Sequence, residues 1–401
     1  MKNKTAILLI FICFSISKVI PAQKQDSFKP DPSLIQVINN ALDKAVSQYK
    51  VLGKNLPAGV LPKTFIGNKK LETSSSTWWT SGFYPGSLFY LYEHSKDTAL
   101  LHEAFNREKL LEVEKNNKGT HDLGFMMFCS FGNANRLFPS KEYESILLTS
   151  AKSLSTRFNP TIGCIKSWDH GTWKFPVIID NMMNLELLFW ATKVSGDSSY
   201  YKIAVTHANT TMKNHYRTDH SSFHVVDYDP NTGNVIGQKT AQGYADASAW
   251  ARGQSWGLYG YTLMYRFTKE KKYLTLANQI AHYIIDNPNL PADKIPYWDF
   301  NTVDIPATYR DASAGSIAAS ALIELSSYAD SQNKLLYLKT SEKIIKALAS
   351  PVYTAKPGEN GGFLLKHSVG NWPGFSEIDV PLTYADYYFI EAMTRYKKLV
   401  K

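Results

Sequence analysis

Apolar residues recur along most of this chain at helical spacing. After Asp31-Pro32, Leu34, Val37, Ile38, Ala41, Leu42 and Ala45 fall three or four residues apart, which puts one apolar face on a helix. Asp31 is a good cap, and proline at the first helical position sacrifices no hydrogen bond. The same periodicity predicts helices near 31–50, 80–95, 97–115, 121–137, 140–157 and 178–195. Six more follow near 198–215, 246–268, 270–287, 311–329, 333–349 and 380–398. Alternating patterns are few and short. His224 to Asp227 with Val235 to Ile236, and Gly362 to Lys366, predict small hairpins.

Twelve helices without a large sheet suit six helical hairpins closed into an all-α (α/α)6 barrel. Alternate helices then run in opposite directions, so six N-termini share one mouth. The inner ring is assigned to the helices starting near 80, 121, 178, 246, 311 and 380. Small residues such as Ala312, Ala314, Gly315, Ala318 and Ala319 permit close packing in a crowded ring. A helical solenoid is the alternative, but it would carry a repeat at fixed period, and none is evident. Under this assignment Trp78, Trp79, His121, Asp122, Asp180, Arg252, Trp256, Asp311 and Asp379 gather near the starts of inner helices. Helix N-termini favour anions.

The first residues change the picture of where the protein works. Lys2 and Lys4 precede an apolar run from Ala6 to Ile16, and Val19-Ile20-Pro21-Ala22 offers a small residue before Gln23. This reads as a signal peptide over 1–22, with one catalytic barrel over 23–401 exported to the periplasm. The run is short for a bilayer span, and no other segment reaches that length uninterrupted, so membrane embedding is not expected. Cleavage removes Lys2, Lys4 and Lys18 and no acid, lowering the formal charge from +9 to +6. That balance suits an anionic polysaccharide, or serves solubility alone. No basic stripe or recognised motif points to nucleic acid. Cys129 and Cys164 remain, and both are expected free and buried. No zinc, EF-hand or P-loop spacing occurs, so no metal is expected.

The candidate chemistry lies at three places. His121-Asp122 opens an inner helix, where an Asp is more commonly a cap than a catalyst. Asp180 sits in Phe175-Pro176-Val177-Ile178-Ile179-Asp180-Asn181, and an acid in so apolar a stretch is costly unless paired or neutral. Burial and a second carboxylate would both raise its pKa and make it a general acid near neutral pH. Asp122 across the mouth would supply the second. The third place is Gln242-Gly243 followed by Arg252 and Trp256, which share a helix face. A guanidinium and an indole suit a uronic acid ring; a buried Arg–Asp pair with Asp246 is the plainer reading. His224 is a core histidine by default, and a donor to a sugar if it faces the mouth. Tyr384 and the loop Lys366 to Ser376 are placed to close that mouth.

These segments together resemble the unsaturated glucuronyl hydrolases, glycoside hydrolase family 88. The likeness runs from about Trp78 to Tyr388. It rests on Thr120-His121-Asp122-Leu123-Gly124, Ile179-Asp180-Asn181-Met182-Met183-Asn184, and Gln242-Gly243 through Trp250-Ala251-Arg252-Gly253-Gln254-Ser255-Trp256. Tyr309-Arg310-Asp311-Ala312-Ser313-Ala314 and Ser376-Glu377-Ile378-Asp379-Val380-Pro381 also match. The resemblance implies an (α/α)6 barrel, no cofactor, and a substrate left by polysaccharide lyases, an anionic oligosaccharide with a C4=C5 double bond in its terminal uronic acid. It implies that Asp180 protonates C4 and then activates water for C5, with Asp122 tuning it. His224, Gln242, Arg252 and Trp256 match uronate-binding positions, and His121 and Trp79 are less specific additions. The loop Lys366-His367-Ser368-Val369-Gly370-Asn371-Trp372-Pro373 is the candidate contact to the second sugar through Ser368. Some sulfate-accepting members place Ser and Lys there; here Trp372 follows Asn371. Three competitors are an unsaturated rhamnogalacturonyl hydrolase, a noncatalytic exported oligosaccharide-binding protein and a polysaccharide lyase. The first more often carries Trp-Val-Asp-Gly where this chain has Ile-Ile-Asp-Asn.

Overall fold

The computed structural model describes residue 28 and residues 31–67 and 69–400, so the predicted signal peptide lies outside the described residues. All twelve predicted helices are found. The first half carries α1 (Pro32–Asn55), strands β1 (Leu61–Ile66) and β2 (Lys70–Ser74), α2 (Phe83–Ser95) and α3 (Thr98–Lys109). A π-helical stretch, Gly124–Gly132, then runs into α4 (Asn133–Leu137), followed by α5 (Lys141–Ser155), β3 (Phe158–Asn159), β4 (Cys164–Ile165) and β5 (Pro176–Ile178). Next come α6 (Asn181–Ser195), α7 (Ser198–His215), β6 (Val225–Tyr228), β7 (Val235–Lys239), α8 (Ala251–Thr268) and α9 (Lys271–Ile285). The chain ends with α10 (Ala312–Leu325), α11 (Ser331–Leu348), β8 (Ser368–Asn371), β9 (Ser376–Val380) and α12 (Thr383–Val400).

The inner ring closes as the helix order requires. The π-helical stretch packs between α2 and α6; α6 packs on α8, α8 on α10, α10 on α12, and α12 back on α2. The outer helices α3, α5, α7, α9 and α11 each pack on the inner helix before them, and α1 lies against α2 and α12, pairing the chain's first helix with its last. This is an (α/α)6 barrel. Its inner helices touch almost backbone to backbone. A Cβ at Gly260 would come 2.5 Å from Met182 Cβ, so α6 and α8 meet where no larger residue fits.

The two rings start their helices differently. Asp31, Asp97, Ser140, Asp197 and Asp330 each accept a hydrogen bond from a first-turn N–H of an outer helix. The inner starts at Gly82, Leu123, Asp180 and Trp250 have no side-chain cap. Each ring has an exception: Asp311 of the inner ring accepts from Ser313 N–H at 2.9 Å, and Glu270 at the start of outer α9 caps nothing. Uncapped N–H groups therefore collect at the inner mouth, with the positive ends of the helix dipoles.

Several expected boundaries move. The helix expected over 246–268 begins at Ala251, because Asp246 is used in the preceding loop, accepting from Thr240 N–H at 2.9 Å. The segment before Asn181, expected to be helical from 178, includes strand β5, which pairs with β6. The 97–115 helix stops at Lys109 and a 3₁₀ turn, Glu112–Asn116, follows. Gly362 to Lys366 is not a hairpin: the N–H groups of Leu364 and Leu365 each donate to the Asp386 carboxylate at 2.8 Å, so a buried acid replaces a partner strand. The hairpin lies just beyond, where β8 pairs with β9. The predicted pairing after His224 is present, and β5 extends it to three strands. The β1–β2 hairpin was not expected. Cys164 is buried in β4 rather than in a loop, Cys129 is half-buried on the π-helical stretch, and both are free. No helix among the described residues is long and apolar enough to cross a membrane.

Candidate active site

A short sheet delivers Asp180. β5 pairs Ile178 with Val225 of β6, and the next backbone bond runs from Ile179 N–H to the His224 carbonyl at 3.1 Å. Asp180 follows immediately, so the two side chains leave the sheet together, with His224 Nε2 3.7 Å from Asp180 Oδ2. His224 Nδ1 accepts from the N–H groups of Ala241 at 3.1 Å and Gln242 at 3.2 Å. A ring nitrogen that accepts carries no proton, so neutral His224 presents Nε2–H to Asp180. Burial, then the charge of Arg252, holds the His224 pKa down to about 3, so it is neutral at working pH.

Asp180 stands at the start of α6 but its carboxyl caps nothing, and Oδ2 has no hydrogen-bond partner among the described residues. Burial pushes its pKa up to about 7, with Asp122 adding to the rise against the pull of Arg252. Asp122 likewise caps nothing. Its Oδ2 accepts from Thr120 Oγ1 at 3.1 Å and lies 3.3 Å from His121 Nε2. Burial raises its pKa to about 7 as well, against the Thr120 and Asn184 donors. His121 is pushed down to about 3 by burial and Arg157, and it too is neutral.

Arg252 has a structural task beside its charge. One Nη donates to the Val369 carbonyl, and the other to the Gly370 carbonyl at 2.7 Å. Its acidic partner is Asp311, at 3.5 Å, not Asp246. The guanidinium thus ties the β8–β9 hairpin to the mouth while lying over the Trp250 ring, 4.4 Å from its centroid. Gln242 Nε2 donates to the same Gly370 carbonyl at 3.0 Å. Trp256 is wholly buried against Phe125 and Tyr388, and its indole N–H is directed so as to lower Asp180. Trp79 packs on Tyr384 with ring centroids 4.9 Å apart.

A cavity of about 110 Å³ opens beside these groups, lined by Trp79, Gln242, Arg252 and Tyr384 together with Lys63, Trp78 and Glu377. Around the mouth no described residue hydrogen-bonds Asp180 Oδ2, His224 Nε2, Trp256 Nε1, His121 Nδ1, Arg252 Nε or the Tyr384 hydroxyl. Buried polar atoms are nearly always hydrogen-bonded, so six clustered exceptions mark a place built for a polar ligand.

Most of the residues singled out from sequence converge here: Asp180, Asp122, His121, His224, Gln242, Arg252, Trp256, Trp79 and Tyr384. Ser368 is fully buried in β8, with its hydroxyl unpartnered among the described residues. Asp379 lies apart on β9, paired with His367 at 2.6 Å. Lys63 is not singled out by the sequence, and Glu377 appears there only within the segment 376–381. They meet 3.4 Å apart from two separate hairpins, and no local pattern marks either. Asp311 was seen only as a helix start, and its neutralisation of Arg252 depends on tertiary packing.

No protein-family model matches the chain. It is 43% identical over 391 residues to the unsaturated glucuronyl hydrolase of Formosa agariphila, covering 97% of this chain and 95% of that protein. The chain belongs to the unsaturated glucuronyl hydrolase family. It is also 32% identical over 386 residues to the unsaturated chondroitin disaccharide hydrolase of Streptococcus pyogenes, covering 94% of this chain and 96% of that one. The crystal structure of an unsaturated glucuronyl hydrolase specific for heparin superposes with a TM-score of 0.88 at 46% identity, covering 91% of this chain and 98% of that chain. As a member of the family, this chain is a glycoside hydrolase.

Proposed function

We propose that this hydrolase removes the 4,5-unsaturated uronic acid from the non-reducing end of lyase-generated glycosaminoglycan oligosaccharides by hydrating the C4=C5 vinyl ether. The observation that carries the reading is Asp180: a buried carboxyl with a pKa near 7 beside a second raised carboxyl, at an uncapped, polar barrel mouth. Such a group is partly protonated at neutral pH and can both give and take a proton. Protonated Asp180 delivers its proton to C4, and positive charge develops at C5 and the ring oxygen. Ionised Asp180 then takes a proton from water as the water oxygen adds to C5. The product is a hemiketal. It opens the ring to a ketone, and the anomeric carbon, now an open-chain hemiacetal, releases the next sugar.

In this reading His224 Nε2–H and the Trp256 indole steady the Asp180 carboxylate between the two proton transfers. Arg252 supplies positive charge near the uronate, and Gln242, Trp79, Tyr384 and His121 line the ring's seat. Ser368 opens β8 of the hairpin that would meet the second sugar, with its own side chain buried. The substrates are anionic unsaturated oligosaccharides, and the +6 charge of residues 23–401 suits them. Cleavage of residues 1–22 would place one catalytic domain, 23–401, in the periplasm, where such fragments arrive.

The test is a substrate panel followed by loss of the double bond's ultraviolet absorbance. It comprises unsaturated disaccharides from chondroitin, hyaluronan and heparin digestion, and one from rhamnogalacturonan. Loss with a glycosaminoglycan product is expected. Loss only with the rhamnogalacturonan product would move the assignment to the neighbouring hydrolase activity, a rise with intact polymer would indicate a lyase, and no change with any would indicate a binder.

A further inference from the structure

The segments that carry Asp180 and Asp122 meet at Asn184. Asn184 lies one turn beyond Asp180 on the same face of α6 and is buried. Its Oδ1 accepts from Phe125 N–H at 2.9 Å, in the first turn of the stretch that follows Asp122. Directly beneath, a Cβ on Gly124 would come 2.5 Å from Asn184 Cα, so the two segments are in backbone contact at this point. The other end of the amide, Nδ2, acts to lower the Asp122 pKa and has no hydrogen-bond partner within reach among the described residues.

We propose that Asn184 is a positioning residue of the reaction centre, clamping the start of α6 to the Asp122 segment through Phe125 N–H and presenting its amide N–H to the Asp122 carboxylate. An amide meets both demands. It accepts from a backbone N–H with one end and donates to a carboxylate with the other. Aspartate here could accept but not donate, and would put a third carboxylate beside two. Leucine would fill the volume, leave Phe125 N–H without its acceptor and take the amide away from Asp122.

The consequence is a division of labour between the two acids. The groups facing Asp122 are the Thr120 hydroxyl, His121 Nε2, the Asn184 amide, Arg157 at longer range, and Asp180, which itself faces His224 and Arg252. His121 is neutral, so the Thr120 and Asn184 donors favour ionised Asp122 directly. An ionised Asp122 in turn favours the proton on Asp180. Asn184 thereby helps fix which carboxyl carries the proton the pair holds.

The proposal rests on Asp180 and Asp122 being the acid/base pair, so its test has one arm that needs no turnover. In Asp180→Asn protein carrying carboxyl-labelled aspartates, the Asp122 carbon resonance is titrated by NMR with Asn184 intact and in Asn184→Ala. The midpoint is expected to move up by roughly half to one pH unit when the donor is removed. In otherwise wild-type enzyme, Asn184→Ala is expected to lower kcat ten- to a hundredfold and to shift the acid limb of its pH profile upward, with KM changed less than threefold. Asn184→Ser, smaller and still polar, covers the case in which the alanine variant does not fold. An unmoved Asp122 midpoint, or a loss of kcat that is uniform across pH, would overturn the proposal. Wild-type enzyme inert towards every unsaturated disaccharide would instead sink the assigned activity, and the NMR arm would still decide the role of Asn184.

Discussion

The two ends of the barrel use buried charge in opposite ways. At the far end, α6, α8, α10 and α12 contribute Glu186, Arg266, Glu324, Glu391 and Arg395. Arg266 Nε and Arg395 Nη1 both donate to Glu324 at 2.8 Å, and Arg266 reaches Glu186 at 2.5 Å. Glu391 accepts from Tyr90, Tyr259 and Ser320. Burial pushes Glu324 up, but Arg266 and Arg395 outweigh it, and the carboxyl ends below its ordinary value. A cavity of about 450 Å³ opens there, larger than the one at the mouth, yet its acids already have cations or hydroxyls. At the mouth the start of α6 holds Asp180, and the segment before the π-helical stretch holds Asp122, neither with a cation in contact among the described residues. Arg252, the guanidinium acting on Asp180, is committed to Asp311 and two carbonyls, and Arg157 acts on Asp122 only at longer range. Paired acids brace the barrel, and acids kept from their cations are poised to move protons. The larger cavity is therefore not the one beside the unpaired acids.

Breaking each end should have a different signature. Arg395→Met leaves buried Glu391 without its cation and half-buried Glu324 with Arg266 alone, and is expected to lower unfolding free energy by about 1–3 kcal/mol in urea melts while turnover per folded molecule stays within about twofold. A loss of turnover without a loss of stability would blur the division between the ends. Asp122→Asn should lower kcat by about a hundredfold, the scale of one general acid–base contribution. It also removes the like charge that raises Asp180, so the alkaline limb of the kcat profile should move to lower pH. An alkaline limb that stays in place would separate Asp122 from Asp180. The smallest effect concerns stability at the mouth. An unfolded aspartate titrates near 3.9, whereas folded Asp180 holds its proton to about 7, so the folded state binds more protons between those values. Stability therefore falls as pH rises through that window, and the cost is complete above it. Asp180→Asn should raise stability by roughly 1–3 kcal/mol at pH 8 and by nothing near pH 3. Calorimetric melts at the two pH values check this.

The fold was largely legible because the inner and outer helices carry long apolar periodicities, as in α1, where Leu34, Ile38, Ala41, Leu42 and Ala45 are all buried as expected. What periodicity could not show was how the connections end. β5 looked like the start of a helix because a short buried strand and a buried helical turn share one apolar pattern. The π-helical stretch after Asp122 is set by packing around Gly124 and leaves no separate mark. In the site, Asp180 stood out as an acid in an apolar run, and the structure sharpened it by removing the capping alternative. The partner of Arg252 was misjudged: Asp246 is near in sequence, but Asp311 is near in space. Lys63, Glu377 and Asn184 act through contacts between distant segments, and each looks ordinary beside its chain neighbours.

The central claim is that Asp180 at the mouth is the group that gives and takes the proton. It is tested most directly by Asp180→Asn, assayed beside the wild type for loss of double-bond absorbance with the best substrate of the panel, with folding and substrate binding measured on the same samples. The account predicts a variant that folds and binds like the wild type and whose kcat is lower by at least about a thousandfold. A folded Asn variant that consumes the double bond at the wild-type rate would contradict it.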